Sequence, residues 1–180
     1  GASLLPLMQA EEGTRWRPWL HGEHCTCYAP AQEMHYLTDG HRKYVWLQGR
    51  EVWTFARLHN ELETRPEWLD AAALGLGFLR AHARDPEGRL YFRLTRRGAP
   101  CSYQRKPYAA VFYLLALVEW HRATGEQQAL EEARTLFWRI VDWIQDPALL
   151  GRPAMAGLPP TSSLANVMVL ASMAIELIRV

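Results

Sequence analysis

Lys43-Tyr44-Val45-Trp46-Leu47-Gln48-Gly49-Arg50 opens a stretch in which large apolar residues recur at helical spacing. Trp46, Trp53, Phe55 and Leu58 carry the pattern to about Leu62, and Arg65-Pro66 interrupts it, because proline brings no backbone donor to a helix interior. The spacing predicts a helix over residues 46–62. Arg50 sits one turn beyond Trp46, and residues four apart share a helix face. A guanidinium that keeps its charge at any working pH is thereby set near a large aromatic ring. Two readings stand at this point. One is a site for a polyol or an oxyanion; the other is an amphipathic helix start whose aromatics fill the core while Arg50 reaches water.

Outward from that stretch the chain reads as helix nearly throughout. Residues 68–83 are rich in Ala and Leu and stop before the turn cluster Asp85-Pro86-Glu87-Gly88. Residues 89–95 alternate apolar with polar, Arg97-Gly98 makes a turn, and residues 99–103 pair back as a small hairpin. Residues 108–124, with Phe112, Leu115, Leu117 and Trp120, are apolar on most faces, and Gly125 is the C-terminal cap candidate. That helix is expected to be deeply buried. Residues 128–145 are amphipathic, with Leu130, Ala133, Phe137, Ile140, Val141 and Ile144 on one face and Glu131, Glu132, Arg134 and Arg139 away from it. Asp146-Pro147 ends it. A Pro/Gly-rich connection over 151–160 leads to Thr161, a good N-cap, and to an apolar helix over 163–178.

Composition bounds the function. With 180 residues, 49% of them hydrophobic and 22% charged, the chain is long enough for one globular core. Lys and Arg number 20 against 19 acidic residues, a formal charge of +1, which argues against nucleic acid or an anionic membrane as partner. Arg96, Arg97, Arg105 and Lys106 make a short basic patch, either a solvated loop or an anion site. Leu4-Leu5-Pro6-Leu7-Met8 is too short, holds a proline and lacks the basic leader of a signal peptide. The apolar run over 167–175 is too short to span a bilayer. Three cysteines suit a reducing compartment rather than a disulfide framework, so a soluble, cytoplasmic protein is expected. Gly1-Ala2-Ser3, without methionine, reads as a cloning scar or a truncation.

The buried-looking helices begin near Trp46, Tyr108 and Ser163, at intervals of 62 and 55 residues, with a more amphipathic helix inside each interval. This is a helical-hairpin repeat, and it suggests an α/α toroid whose inner helices line a central site. A generic helical bundle is the alternative.

The run from Lys43 to Trp53 resembles the corresponding run of the N-acylglucosamine 2-epimerase (renin-binding protein) family. Further likenesses follow in order: Gly88 to Gly98 is similar to the family's hairpin, Gln104-Arg105-Lys106-Pro107-Tyr108 with Phe112-Tyr113 to the start of its next inner helix, and Leu150-Gly151-Arg152-Pro153 with Gly157 to a later connection. The resemblance implies an all-α fold, a partial (α/α)6 barrel of about three helical hairpins with one small β-hairpin. It divides the chain into a divergent segment, 1–42, and the N-terminal half of an epimerase-like barrel, 43–180. In place of the family's Gly-Gly-Phe turn the first segment reads His24-Cys25-Thr26-Cys27-Tyr28-Ala29-Pro30.

The activity implied is epimerisation of an aldose at carbon 2, as between N-acetylglucosamine and N-acetylmannosamine, with relatives acting on mannose, glucose or cellobiose. A base removes the proton beside the carbonyl of the opened sugar, an enediolate forms, and a second acid-base group returns a proton to the opposite face. By this likeness Arg50 matches the arginine that stabilises the enediolate oxygen, Trp46 an aromatic wall of the sugar pocket, and Tyr108 a ring that contacts substrate. The family's two catalytic histidines and a substrate-binding glutamate lie on later inner helices of a second half. None of the seven histidines here matches them: His21, His24, His35 and His41 precede the recognisable region, and His59, His82 and His121 fall near helix ends.

Half a toroid leaves apolar surface uncovered at its broken edge. The implied partners are therefore a sugar substrate together with a second copy of the chain in a homo-oligomer, or a missing C-terminal half. A non-catalytic helical interaction module is the alternative function. Other chemistries are weaker. His21, His24, Cys25 and Cys27 are metal-ligand types within seven residues, but structural zinc sites space cysteines by two to four residues and bring a second pair. Glu51 and Glu119 are the candidate acidic pair for glycoside hydrolysis. No Gly-x-x-x-x-Gly-Lys run supports a nucleotide, and no metal or other cofactor is expected.

Overall fold

The computed structural model describes residues 42–151 and 163–180. A short strand, β1 (Arg42–Tyr44), leads directly into helix α1 (Val45–Glu61), and α2 (Pro66–His82) follows. The hairpin β2 (Tyr91–Thr95) and β3 (Pro100–Tyr103) comes next, then α3 (Tyr108–Thr124), α4 (Gln127–Gln145), a 3-10 turn over Pro147–Leu150, and α5 (Leu164–Ile178). Lys43 and Tyr44 are thus a strand that the helical spacing of the stretch they open does not foresee, and the helix begins at Val45. β1 pairs antiparallel with β2, Lys43 opposite Leu94, so that the hairpin becomes a three-stranded sheet in the order β1-β2-β3.

The helices alternate in role. α1, α3 and α5 lie side by side as inner helices, while α2 packs behind α1 and α4 behind α3. α3 is the most enclosed: Ala109, Ala110, Tyr113, Leu114, Ala116, Leu117 and Val118 are all buried, which requires neighbours on several faces. Gly125 ends it in the left-handed region at φ 74°, donating its N–H to the carbonyl of His121, as the cap reading expects. The 3-10 turn ends at Leu150, with Gly151 as its cap, and the Asp146 carboxylate accepts from the Ala148 N–H at its start.

On α4 the buried stripe is Ala129, Leu130, Ala133, Leu136, Ile140 and Trp143. Leu136 and Trp143 replace Phe137, Val141 and Ile144, which are half-buried at its border. Glu132 also departs from the solvent-facing reading: it accepts from the buried Tyr113 hydroxyl at 2.8 Å and pairs with Arg80 and Arg84. Burial, with Glu132 beside it, pushes the Tyr113 phenol far above its ordinary range.

At the C-terminal ends of the inner helices the fold is tied by charge. Glu119 on α3 is fully buried. Its carboxylate accepts from Arg122 at 2.9 and 3.0 Å, from Asn60 at 2.8 Å and from Arg57 at 3.3 Å. Arg57 also reaches Glu176 on α5, and Glu61 holds both Arg122 and Arg179. Glu119 is thereby a structural hub, its carboxylate engaged by Arg57 and Asn60 of α1 and by Arg122 of α3. The outward face of α5 is apolar and open, with Leu164 74% and Ile178 83% exposed and Met173 its one buried residue among those described.

Candidate functional site

The site begins with a glycine. A Cβ at Gly49 would lie 2.8 Å from the Phe112 carbonyl carbon and 2.9 Å from the Tyr113 nitrogen, so only a residue without a side chain lets α1 touch the backbone of α3. That approach brings the first turns of two inner helices together. Trp46 comes from α1 and Tyr108, Ala109 and Phe112 from α3, with the Trp46 and Phe112 rings 6.1 Å apart. The start of α3 is set by its own sequence: Pro107 accepts from the Val111 N–H, and the buried Gln104 side chain accepts from the Ala110 N–H.

The hairpin folds over these turns and adds Phe92 and Tyr103, and the connection to α3 adds Arg105 and Lys106. Tyr44 backs Phe92 edge-on at 5.3 Å, so the unforeseen strand β1 also supports the wall. The result is a cavity of about 550 Å³, within the range of small-molecule sites of about 300–1,000 Å³. Its lining is aromatic, and its charged members are both cations.

Of the residues singled out from sequence, Trp46 and Tyr108 meet in this cavity although 62 positions separate them. Arg50 is exposed and does not line it; its Cζ lies 5.7 Å from the centre of the Phe112 ring, on whose other neighbour, Trp46, the cavity opens. The guanidinium thus borders the cavity through Phe112. Sequence reasoning missed Phe92, Tyr103 and Phe112 as wall residues, and read Arg105 and Lys106 as a basic patch without deciding its role. The signal was topological: both lie in the link that returns the chain from the hairpin to an inner helix.

Behind the Tyr103 wall stands a charged cluster. Asp85 accepts from Arg89 twice, through its backbone N–H at 2.7 Å and through Nε at 2.6 Å, and from the Tyr103 hydroxyl at 2.9 Å. Burial works to raise the Asp85 pKa, but the hydrogen bonds from Arg89 and Tyr103 outweigh it and hold the carboxyl below its ordinary value. The same bond to Asp85 raises the Tyr103 phenol above its own.

None of the described histidines faces the cavity. His59 bonds the carbonyl of Arg65, His121 that of Glu126, and the His82 ring packs on Phe78 at 4.9 Å. Glu51 is buried and accepts from Gln48 at 2.9 Å. Among the described residues no group of three His, Cys, Asp or Glu side chains is arranged to hold a metal. His21, His24, His35, His41, Cys25, Cys27, Arg152, Pro153, Gly157 and Thr161 lie outside the described residues. No helix among those described is long and apolar enough to cross a membrane.

The architecture has solved counterparts. Cellobiose 2-epimerase from Bacillus thermoamylovorans superposes with a TM-score of 0.66 at 20% identity, over 78% of this chain and 40% of that one. A sugar epimerase from a ruminal bacterium gives 0.59 at 22% identity, over 76% and 39%. The fold is therefore that of the (α/α)6-barrel class, here as an open run of its hairpins. The sequence pattern of the N-acylglucosamine 2-epimerase (GlcNAc 2-epimerase) family matches residues 31–150, and the chain belongs to that family. N-acylglucosamine 2-epimerase of Bos taurus is 41% identical over 140 residues, 75% of this chain and 33% of its own length, and that of Mus musculus 39% over 162 residues, 87% and 38%. Cellobiose 2-epimerase of Bacteroides fragilis is 36% identical over 92 residues. The chain spans about a third of the length of the N-acylglucosamine 2-epimerases it matches.

Proposed function

We propose that this chain supplies one side of the sugar site of a carbohydrate 2-epimerase, with Trp46 and Tyr108 as substrate-contacting walls and Arg50, which stands outside the cavity lining against Phe112, as the cation that meets the enediolate oxygen once later helices close the site. The observation that carries the reading is the convergence of Trp46 and Tyr108, from successive inner helices, on one aromatic cavity. Aromatic faces suit the C–H-bearing faces of a pyranose. The substrate is an aldose such as N-acetylglucosamine or N-acetylmannosamine, or mannose or glucose, and no cofactor is called for. Removal of the C2 proton leaves an electron pair shared between C2 and the carbonyl oxygen. A guanidinium near that oxygen lowers the barrier without itself transferring a proton.

The proton-transfer groups are proposed to come from later inner helices of the family's barrel, supplied by a longer polypeptide or by a second copy in a homo-oligomer. The open apolar face of α5 supports that completion. A cytoplasmic setting belongs to the same reading, supported by three sparse cysteines, of which Cys101 is free and exposed. The test is deuterium incorporation at carbon 2 of N-acetylglucosamine in D2O, followed by proton NMR, with the chain joined to those later helices. Arg50→Gln is expected to slow exchange by about 10²-fold or more, the cost of removing one oxyanion donor; exchange at the unmodified rate removes Arg50 from the mechanism. The second reading, a non-catalytic module, is favoured by the three described histidines pointing elsewhere, and its mark is sugar binding with no exchange in the completed barrel.

A further inference from the structure

The cavity wall built by the hairpin ends on Tyr103, and the groups behind that ring are arranged to hold it. Its hydroxyl donates to Asp85 Oδ2 at 2.9 Å and accepts from Arg89 Nη2 at 3.2 Å, so the phenol's polar end is engaged on the protein side. Asp85, its side chain 2% exposed, is in turn fixed by Arg89. The Arg89 Cζ also lies 4.8 Å from the Tyr103 ring centre, and the Tyr91 ring sits 5.0 Å away at 31°. On another side Gly151 leaves just enough room: a Cβ there would stand 3.3 Å from both Tyr103 Cγ and Arg89 Cδ. A tyrosine clamped by its hydroxyl turns its ring, and not its oxygen, to whatever enters the cavity.

We infer that Tyr103 contacts the sugar through its ring, and that Asp85 and Arg89 are positioning residues that fix the ring in the cavity wall by engaging its hydroxyl. This rests on the sugar-site reading above and extends it to a residue outside the motifs that suggested it. The selectivity it confers is for the apolar face of the ligand, since the Tyr103 hydroxyl is already engaged by Asp85 and Arg89.

The test is titration of N-acetylglucosamine into the 180-residue chain, followed by intrinsic tryptophan fluorescence, because Trp46 shares the cavity. Tyr103→Ala is expected to weaken binding about tenfold. Tyr103→Phe and Asp85→Ala each free the ring and weaken it about threefold, and the double variant is no weaker than either single one, since both break the same bond. Asp85→Asn, whose amide oxygen still accepts from the phenol, stays within about twofold of the parent. Thermal unfolding of each variant separates a scaffold role: a lowered Tm in Asp85→Ala with unchanged affinity overturns the assignment. A parent chain that binds no sugar overturns the sugar-site reading itself and this assignment with it. Parent binding that Tyr103→Ala leaves unchanged overturns the assignment alone.

Discussion

Gly49 and Asp85 show how single residues set the cavity. At Gly49 any side chain would meet the α3 backbone at 2.8–2.9 Å, and backbone within two packed helices has no rotamer by which to yield. Gly49→Ala is expected to destabilise the fold by about 1–3 kcal/mol, the usual range for overpacking, read as a lower urea midpoint at unchanged m-value. Asp85 carries a pH signature. Its folded pKa lies below its unfolded one, so the unfolded chain takes up the proton first as pH falls. The stability Asp85 contributes is therefore present above about pH 4 and is lost as pH drops through the folded value. The Tm difference between the parent and Asp85→Asn should shrink on acidification from neutral pH to below that range; a difference constant with pH counts against it. At this scale sequence reasoning was uneven. Trp46 and Tyr108 were legible through family likeness, whereas Tyr103 and Phe112 gained their places by chain reversal and helix contact, which no local spacing encodes.

At the scale of elements, the helices were legible because they are long and because proline or glycine marks several of their limits, at Pro66, Gly125 and Pro147. α3 begins at Tyr108 and ends at Gly125 as read, since its apolar run and its glycine cap agree. β1 was missed: three residues carry no period, and its pairing partner lies some fifty positions away at Leu94. The α4 stripe was rotated because Glu132, polar by type, is drawn inward by Tyr113, Arg80 and Arg84 from other elements. The inner helices are fastened at their far ends by Glu119, fully buried against Arg57, Asn60 and Arg122. Glu119→Ala leaves two guanidiniums without their buried partner and is expected to cost about 3 kcal/mol, the low end for a broken buried pair because both cations keep some contact with water. Chemical denaturation measures it, and a loss below about 0.5 kcal/mol would mark the network as incidental.

For the whole molecule the defining feature among the described residues is the exposed apolar face of α5. α5 turns Leu164, Val167, Met168, Ile175 and Ile178 outward, an apolar face on which a barrel of this class would seat its next helices. Soluble single chains rarely leave such a patch bare, so the isolated chain should self-associate with rising concentration in sedimentation velocity. Replacing Val167 and Ile175 by aspartate should abolish the association while changing stability by no more than about 0.5 kcal/mol, as for other surface positions. Whether the Trp46 and Tyr108 rings form one sugar-binding wall is read from the indole N–H resonances of the 15N-labelled chain titrated with N-acetylglucosamine. The Trp46 resonance is expected to shift saturably, with the exposed Trp138 unmoved and the effect lost in Tyr108→Ala. A Trp46 resonance that stays in place up to the solubility of the sugar, or shifts confined to Trp138, would contradict such a wall.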